Sequence, residues 1–194
     1  MNNVNLQLAA ACANGRIKEV IYLVEKKNAD VNYICAGDAD GWTPFLCACA
    51  SGSFETVKYL YEHGANVHIL TNEYCNGLHY ASQHNNLDIL FYLRKIGLDP
   101  CHLNKHNVSP LHCAKTNLKN VEFLITQGAD VFSAPGKPGF KSICDDMINN
   151  LKLKNAVNKG LDYIEKQQNI RKILYNKIPT VLIDIIVKFL PIII

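Results

Sequence analysis

The chain repeats itself every 33 residues. The stretch GWTPFLCACASGSFETVKYLYEHGANV (41–67) returns as YCNGLHYASQHNNLDILFYLRKIGLDP (74–100) and again as NVSPLHCAKTNLKNVEFLITQGADV (107–131). Thr43, Asn76 and Ser109 are 33 apart, as are Leu46, His79 and His112. An earlier copy, NLQLAAACANGRIKEVIYLVEKKNADVN, occupies residues 5–32. A fixed period of this size marks one small supersecondary unit that cannot bury its apolar face alone, so neighbours must stack and share a core.

Each unit reads as two short helices and a hairpin-like connection. Thr43 and Ser109 place hydroxyls at a helix N-terminus, and Pro44 and Pro110 are pre-set for the first turn. Small residues follow (Ala48, Cys49, Ala81, Ser82, Ala114), which let these first helices approach closely. The second helix carries apolar pairs at helical spacing: Val20 and Leu23, Val57 and Leu60, Leu90 and Leu93, Val121 and Leu124. Gly64, Gly97 and Gly128 fit the left-handed cap that ends it.

The period, the TPLH-like openings and the GADV-like closings resemble the ankyrin repeat over residues 5–131. The resemblance implies an all-α ankyrin-repeat solenoid of four repeats plus a degenerate fifth, followed by C-terminal helices. The degenerate copy is GFKSICDDMINN (139–150), with Lys141-Ser142 where Thr-Pro would stand. The first copy lacks TPLH, as an N-terminal cap would. Extra residues around ICAGDADG lengthen the first connection, and the fourth copy is two residues short between its helices at Thr116–Leu118. The chain therefore divides into repeats (1–131), a degenerate repeat with linking helices (132–175) and a terminal segment (176–194).

In ankyrin-like proteins the hairpin tips and exposed inner-helix positions form a concave surface that grips a partner protein. Carried onto this sequence, that surface comprises Asp40, Trp42, Ser51, Glu73, Tyr74, Gln83, His84, Lys105, His106 and Val108. Lys137, Pro138 and Phe140 join it through the fifth repeat. Trp42 is the chain's single tryptophan, and it either anchors a partner or packs on its own loop.

Composition excludes much else. Residues 1–130 carry 10 Lys/Arg against 12 Asp/Glu, and residues 131–194 carry 10 against 5. The basic residues lie along helices without interleaved aromatics, which reads as a solvated face and not a nucleic-acid patch. The N-terminus has no basic run before its apolar residues, so no signal peptide is expected. Eight cysteines form no CxxC pair and several fall in apolar helical stretches, so free thiols and a cytoplasmic or nuclear location are expected. His79 and His112 occupy the TPLH histidine and read as inter-repeat ties. Cys101, His102 and His106 are too few to close a zinc site, so no metal is expected. No phosphate loop, GxSxG or nucleophile–base pairing appears, so neither enzyme activity nor a cofactor is expected.

Residues 151–175 read as further helix, with Gly160 a possible break. Beyond them, KIPTVLIDIIVKFLPIII (177–194) is apolar over most of a helix circumference. A membrane span needs about 20 apolar residues and about 30 Å, whereas 180–194 would reach about 22 Å as helix, so no span is expected. IPTVLIDIIVKFL (178–190) resembles the opening of an F-box, LPxxLLxxIFxxL, with Ile178, Pro179, Leu182, Ile183, Ile186, Val187 and Leu190 in register. Placed after an ankyrin array, it is similar to the PRANC tail of poxviral ankyrin proteins. That resemblance implies docking to the Skp-type linker of a cullin–RING ubiquitin ligase, with the repeats selecting the target. The competing reading is a stand-alone scaffold or inhibitor whose C-terminal helix only completes the fold.

Overall fold

The computed structural model describes residues 3–35, 41–84, 86–114, 117–131 and 151–168, and every regular element among them is helical. The helices are α1 (Val4–Ala13), α2 (Ile17–Lys27), α3 (Pro44–Ser51), α4 (Phe54–Glu62), α5 (Gly77–Ala81), α6 (Leu87–Lys95), α7 (Pro110–Cys113), α8 (Leu118–Thr126) and α9 (Leu151–Gln168). The inner helices α1, α3, α5 and α7 pack in one row, and the outer helices α2, α4, α6 and α8 in a second. This is an ankyrin-repeat solenoid.

The local chemistry matches the expected grammar. Thr43 caps α3 by accepting from the Leu46 N–H at 3.3 Å, and Asn76 caps α5 by accepting from Leu78 and His79. Ala48, Cys49, Ala81, Ser82 and Ala114 are all fully buried between inner helices. On the outer row Val20, Val57, Leu60, Leu90, Leu93, Val121 and Leu124 are fully buried, and each contributes about 1.5–3 kcal/mol. Outer helices α4, α6 and α8 close in the same way. The N–H groups of Ala65, Leu98 and Ala129 reach the carbonyls of Leu60, Leu93 and Leu124 at 2.9, 3.1 and 3.0 Å, with a left-handed glycine just before each.

Polar stitches join successive repeats. Asn86 Nδ2 donates to the Gly52 carbonyl at 3.2 Å, and Asn117 Nδ2 donates to that of His84 at 2.9 Å. Asn120, fully buried, adds bonds to the carbonyls of Ser82 and His84 at 2.9 and 2.6 Å. Its register partners are Thr56 and Ile89, so the shortened fourth repeat alone uses an amide there.

Two apolar clusters result. One runs from α1 to α6, and the other joins α7, α8 and α9 through Leu111, Leu124, Ile125, Ala156 and Val157. Phe123 packs against both and connects them. Gly160 corrects the sequence reading: it is not a break but lies inside the unbroken helix α9. A Cβ there would sit 2.8 Å from Ile125 Cβ and Cγ2 and 3.1 Å from the Glu122 carbonyl. Close approach to α8, not helix termination, is why a glycine is used. The fifth repeat at 139–150, the inserted residues at 36–40 and the segment 169–194 lie outside the described residues.

Candidate protein-binding surface

The hairpin tips precede the inner helices and are built by short local bonds. In the second, the Thr71 N–H donates to the Cys75 carbonyl at 3.0 Å and the Thr71 hydroxyl accepts from the Cys75 N–H at 3.2 Å. In the third, the Asn104 N–H donates to Val108 at 3.1 Å, and Asn104 Oδ1 accepts from the N–H groups of His106 and Val108 at 2.9 and 3.0 Å. Both are Asx- or Thr-closed turns. One position in each tip requires a left-handed backbone: Gly41 (φ 75°), Tyr74 (φ 61°) and Asn107 (φ 56°), spaced by 33 residues. Glycine and asparagine adopt that conformation readily, whereas a tyrosine pays for its Cβ.

Adjacent tips are fastened to each other. The Lys105 N–H donates to the Glu73 carbonyl at 3.0 Å. The Glu73 carboxylate lies 2.9 Å from His106 Nε2 and 3.9 Å from Lys105 Nζ. Lys105 Nζ also stands 5.2 Å from the Tyr74 ring centroid, and His102 Nε2 bonds the Tyr74 carbonyl at 2.9 Å. Tyr74 itself remains 55% exposed. The structure thus brings Glu73, Tyr74, Lys105 and His106 together.

Among the described residues, Trp42 has an aromatic partner in the next repeat. It is half-buried against Tyr80 of α5 in the next repeat, with ring centroids 4.3 Å apart at 42°. Ser51, Gln83 and His84 stand at or past the C-terminal ends of α3 and α5, away from the tips in the chain. The Ser51 hydroxyl donates back to Ala48, and the His84 ring lies against Gly52. The Val108 carbonyl is taken by His79 Nε2 at 3.0 Å. Asp40, Lys137, Pro138, Phe140 and the docking residues Ile178, Pro179, Leu182, Ile183, Ile186, Val187 and Leu190 lie outside the described residues.

Sequence reasoning passed over His102 and Tyr80 as surface residues. His102 was weighed only as a metal ligand, and Tyr80 sits on an inner helix where small residues are the rule.

The ionisable groups inside the array are kept neutral. Burial pushes His79 down to about 4, assisted by the neighbouring His102 ring and opposed by the bond to Val108. Burial pushes the thiols of Cys12 and Cys49 up, and those of Cys47 and Cys113 up to about 12. Such thiols pack as small hydrophobes and are not nucleophiles. Among the described residues no His/Cys/Asp/Glu group has metal-site geometry. Among them, too, no helix is long and apolar enough to cross a membrane.

Comparison with known proteins agrees with the fold. Residues 3–71 match the family model of ankyrin repeats (3 copies). The chain is 30% identical over 126 residues to the "Probable 26S proteasome regulatory subunit p28" of Saccharomyces cerevisiae, covering 63% of this chain and 55% of that protein. It is 33% identical over 81 residues to "BCL-6 corepressor-like protein 1" of Homo sapiens, covering 42% of this chain and 4% of that protein. The chain thus spans about half the length of the first relative and a small part of the second. Ankyrin repeats imply protein–protein interaction.

Proposed function

We propose that the chain is a substrate adaptor: the hairpin tips and inner helices hold a target protein, and residues 178–190 couple it to a cullin–RING ubiquitin ligase through a Skp-type linker. The observation that carries the first half is the exposed tip cluster of Glu73, Tyr74, Lys105 and His106, fixed across two repeats by side-chain and backbone bonds. Interfaces draw most of their energy from such pre-positioned aromatic and charged groups. The Trp42–Tyr80 pair on the adjacent repeats adds aromatic area to the same side.

The second half is supported by the F-box-like register of 178–190 and by its apolar coverage. It is also supported by α9, which already packs on α8 and supplies apolar cover at that end of the stack. The named association of the yeast relative with the 26S proteasome is consistent with a place in protein turnover. The reduced thiols fit a cytoplasmic or nuclear setting, where ligase components reside.

The test is co-purification of the full chain and two double variants from cells. Glu73→Lys with Lys105→Glu should lose the target and keep the Skp-type linker and cullin. Ile186→Asp with Leu190→Asp should do the reverse. Wild-type protein that captures a target but neither ligase component reduces the reading to a stand-alone scaffold.

A further inference from the structure

Of the three register positions that demand a left-handed backbone, two carry the residues physics favours, Gly41 and Asn107, and the third carries a half-exposed tyrosine. Nothing in the tip requires a ring there, because the hairpin closes through Thr71, Cys75 and backbone atoms. The unfavourable conformation is held from outside. The Tyr74 N–H donates to Thr71 at 2.8 Å, His102 takes its carbonyl, and Lys105 stands over its ring. Strain that the surroundings over-determine, at an exposed aromatic, is a signature of a site kept for binding. A tyrosine with two side-chain torsions and a fixed backbone also loses little entropy on contact.

The lysine beside it is only loosely held. Across tip residues 71–75 and 104–108, Glu73 is the sole carboxylate and Lys105 the sole lysine or arginine, with His106 also at the Glu73 carboxylate. Glu73 is closer to His106 (2.9 Å) than to Lys105 (3.9 Å), and both pairs are solvent-exposed. The looser lysine pair holds little free energy, so Lys105 is free to exchange Glu73 for a partner's carboxylate.

We propose that Tyr74 is the anchor of the target-binding surface and that it takes an acidic segment of the partner, an apolar side chain packing on the ring while a carboxylate engages Lys105. This deepens the adaptor reading and rests on the array binding a protein. The structure assigns a distinctive signature to such a residue: replacing Tyr74 by glycine relieves the backbone and leaves the carbonyl for His102, so stability should rise while binding falls.

The test uses a random peptide library displayed on phage, selected against the full chain and re-tested on Tyr74→Gly and Lys105→Glu, with thermal melts of all three. The expected result is selected peptides rich in Asp and Glu, bound at least tenfold more weakly by both variants, with Tyr74→Gly melting higher than wild type. Peptides that bind Tyr74→Gly as tightly as wild type overturn the anchor while leaving the array a binding module. Basic selected peptides, or a lower melting temperature for Tyr74→Gly, overturn it equally. Failure to select any peptide on any surface of the array overturns this proposal together with the one on which it rests.

Discussion

His79 makes the stability of the array depend on pH in a way that can be calculated and removed. Its ring is 1% exposed, and Nε2 lies 3.0 Å from the Val108 carbonyl of the next repeat. A carbonyl only accepts, so the neutral ring carries its proton on Nε2. Protonating Nδ1 would place a charge among buried groups, which is why the folded ring titrates at about 4 against 6.5 when unfolded. Between these values the unfolded chain binds a proton that the folded chain does not. Stability is therefore complete above about pH 6.5 and is lost as pH falls towards about 4. At about 1.4 kcal/mol per unit, the full loss is about 3 kcal/mol, or about 6–12 °C in melting temperature for a chain of this size.

The informative substitution is His79→Gln, which keeps an N–H donor for Val108 and removes the titration. At pH 7.5 the variant should be less stable than wild type, by about 1 kcal/mol for a repacked buried hydrogen bond. Urea unfolding at intervals from pH 7.5 to 4.5 should show that gap closing and then reversing. Curves that stay parallel across the range would refute the argument, because they would mean that His79 takes up its proton equally in both states.

Three further outcomes follow from particular contacts. Asn76→Ser should stabilise the array by about 0.5–1.5 kcal/mol in urea unfolding: Asn76 Oδ1 faces the acceptor His79 Nδ1 at 2.8 Å, whereas a hydroxyl would donate there, as Ser109 can to His112 at the same 2.8 Å. An unchanged or lower midpoint rejects that pairing. Gly160→Ala should lower the melting temperature, because overpacking against Ile125 costs about 1–3 kcal/mol and outweighs the roughly 1 kcal/mol gain in helix propensity; a rise would mean that α9 does not lie on α8. A double-mutant cycle of Trp42→Ala and Tyr80→Ala should give a stability coupling of about 0.5–1.5 kcal/mol, and a coupling near zero would remove the stack.

The repeat register was legible because every copy faces the same demand. Val57, Leu90 and Val121 must each fill the same slot between rows, so the apolar pattern recurs and can be read without coordinates. Gly160 was misread because helix propensity is a local quantity, while the reason for that glycine is the Ile125 side chain on another helix. Asn120 was invisible for a related reason. The polar residue there is set by the carbonyls of Ser82 and His84, which the shortened junction brings within its reach.

Binding residues are the hardest case, since they are the positions at which copies are free to differ. Periodicity identifies where the tips lie but assigns no chemistry to them. The exception is a tip position that still obeys a rule of the fold. Residues 41, 74 and 107 share one backbone conformation that glycine and asparagine satisfy at little cost, and only Tyr74 goes against it. A departure from a constraint that its register mates respect implies a second constraint acting on that residue alone. Trp42 carries no such mark: its ring has a partner in Tyr80, so its presence is already accounted for by packing. Of the two aromatics that the sequence singled out, it is therefore the strained and exposed one that most needs a partner from outside the chain.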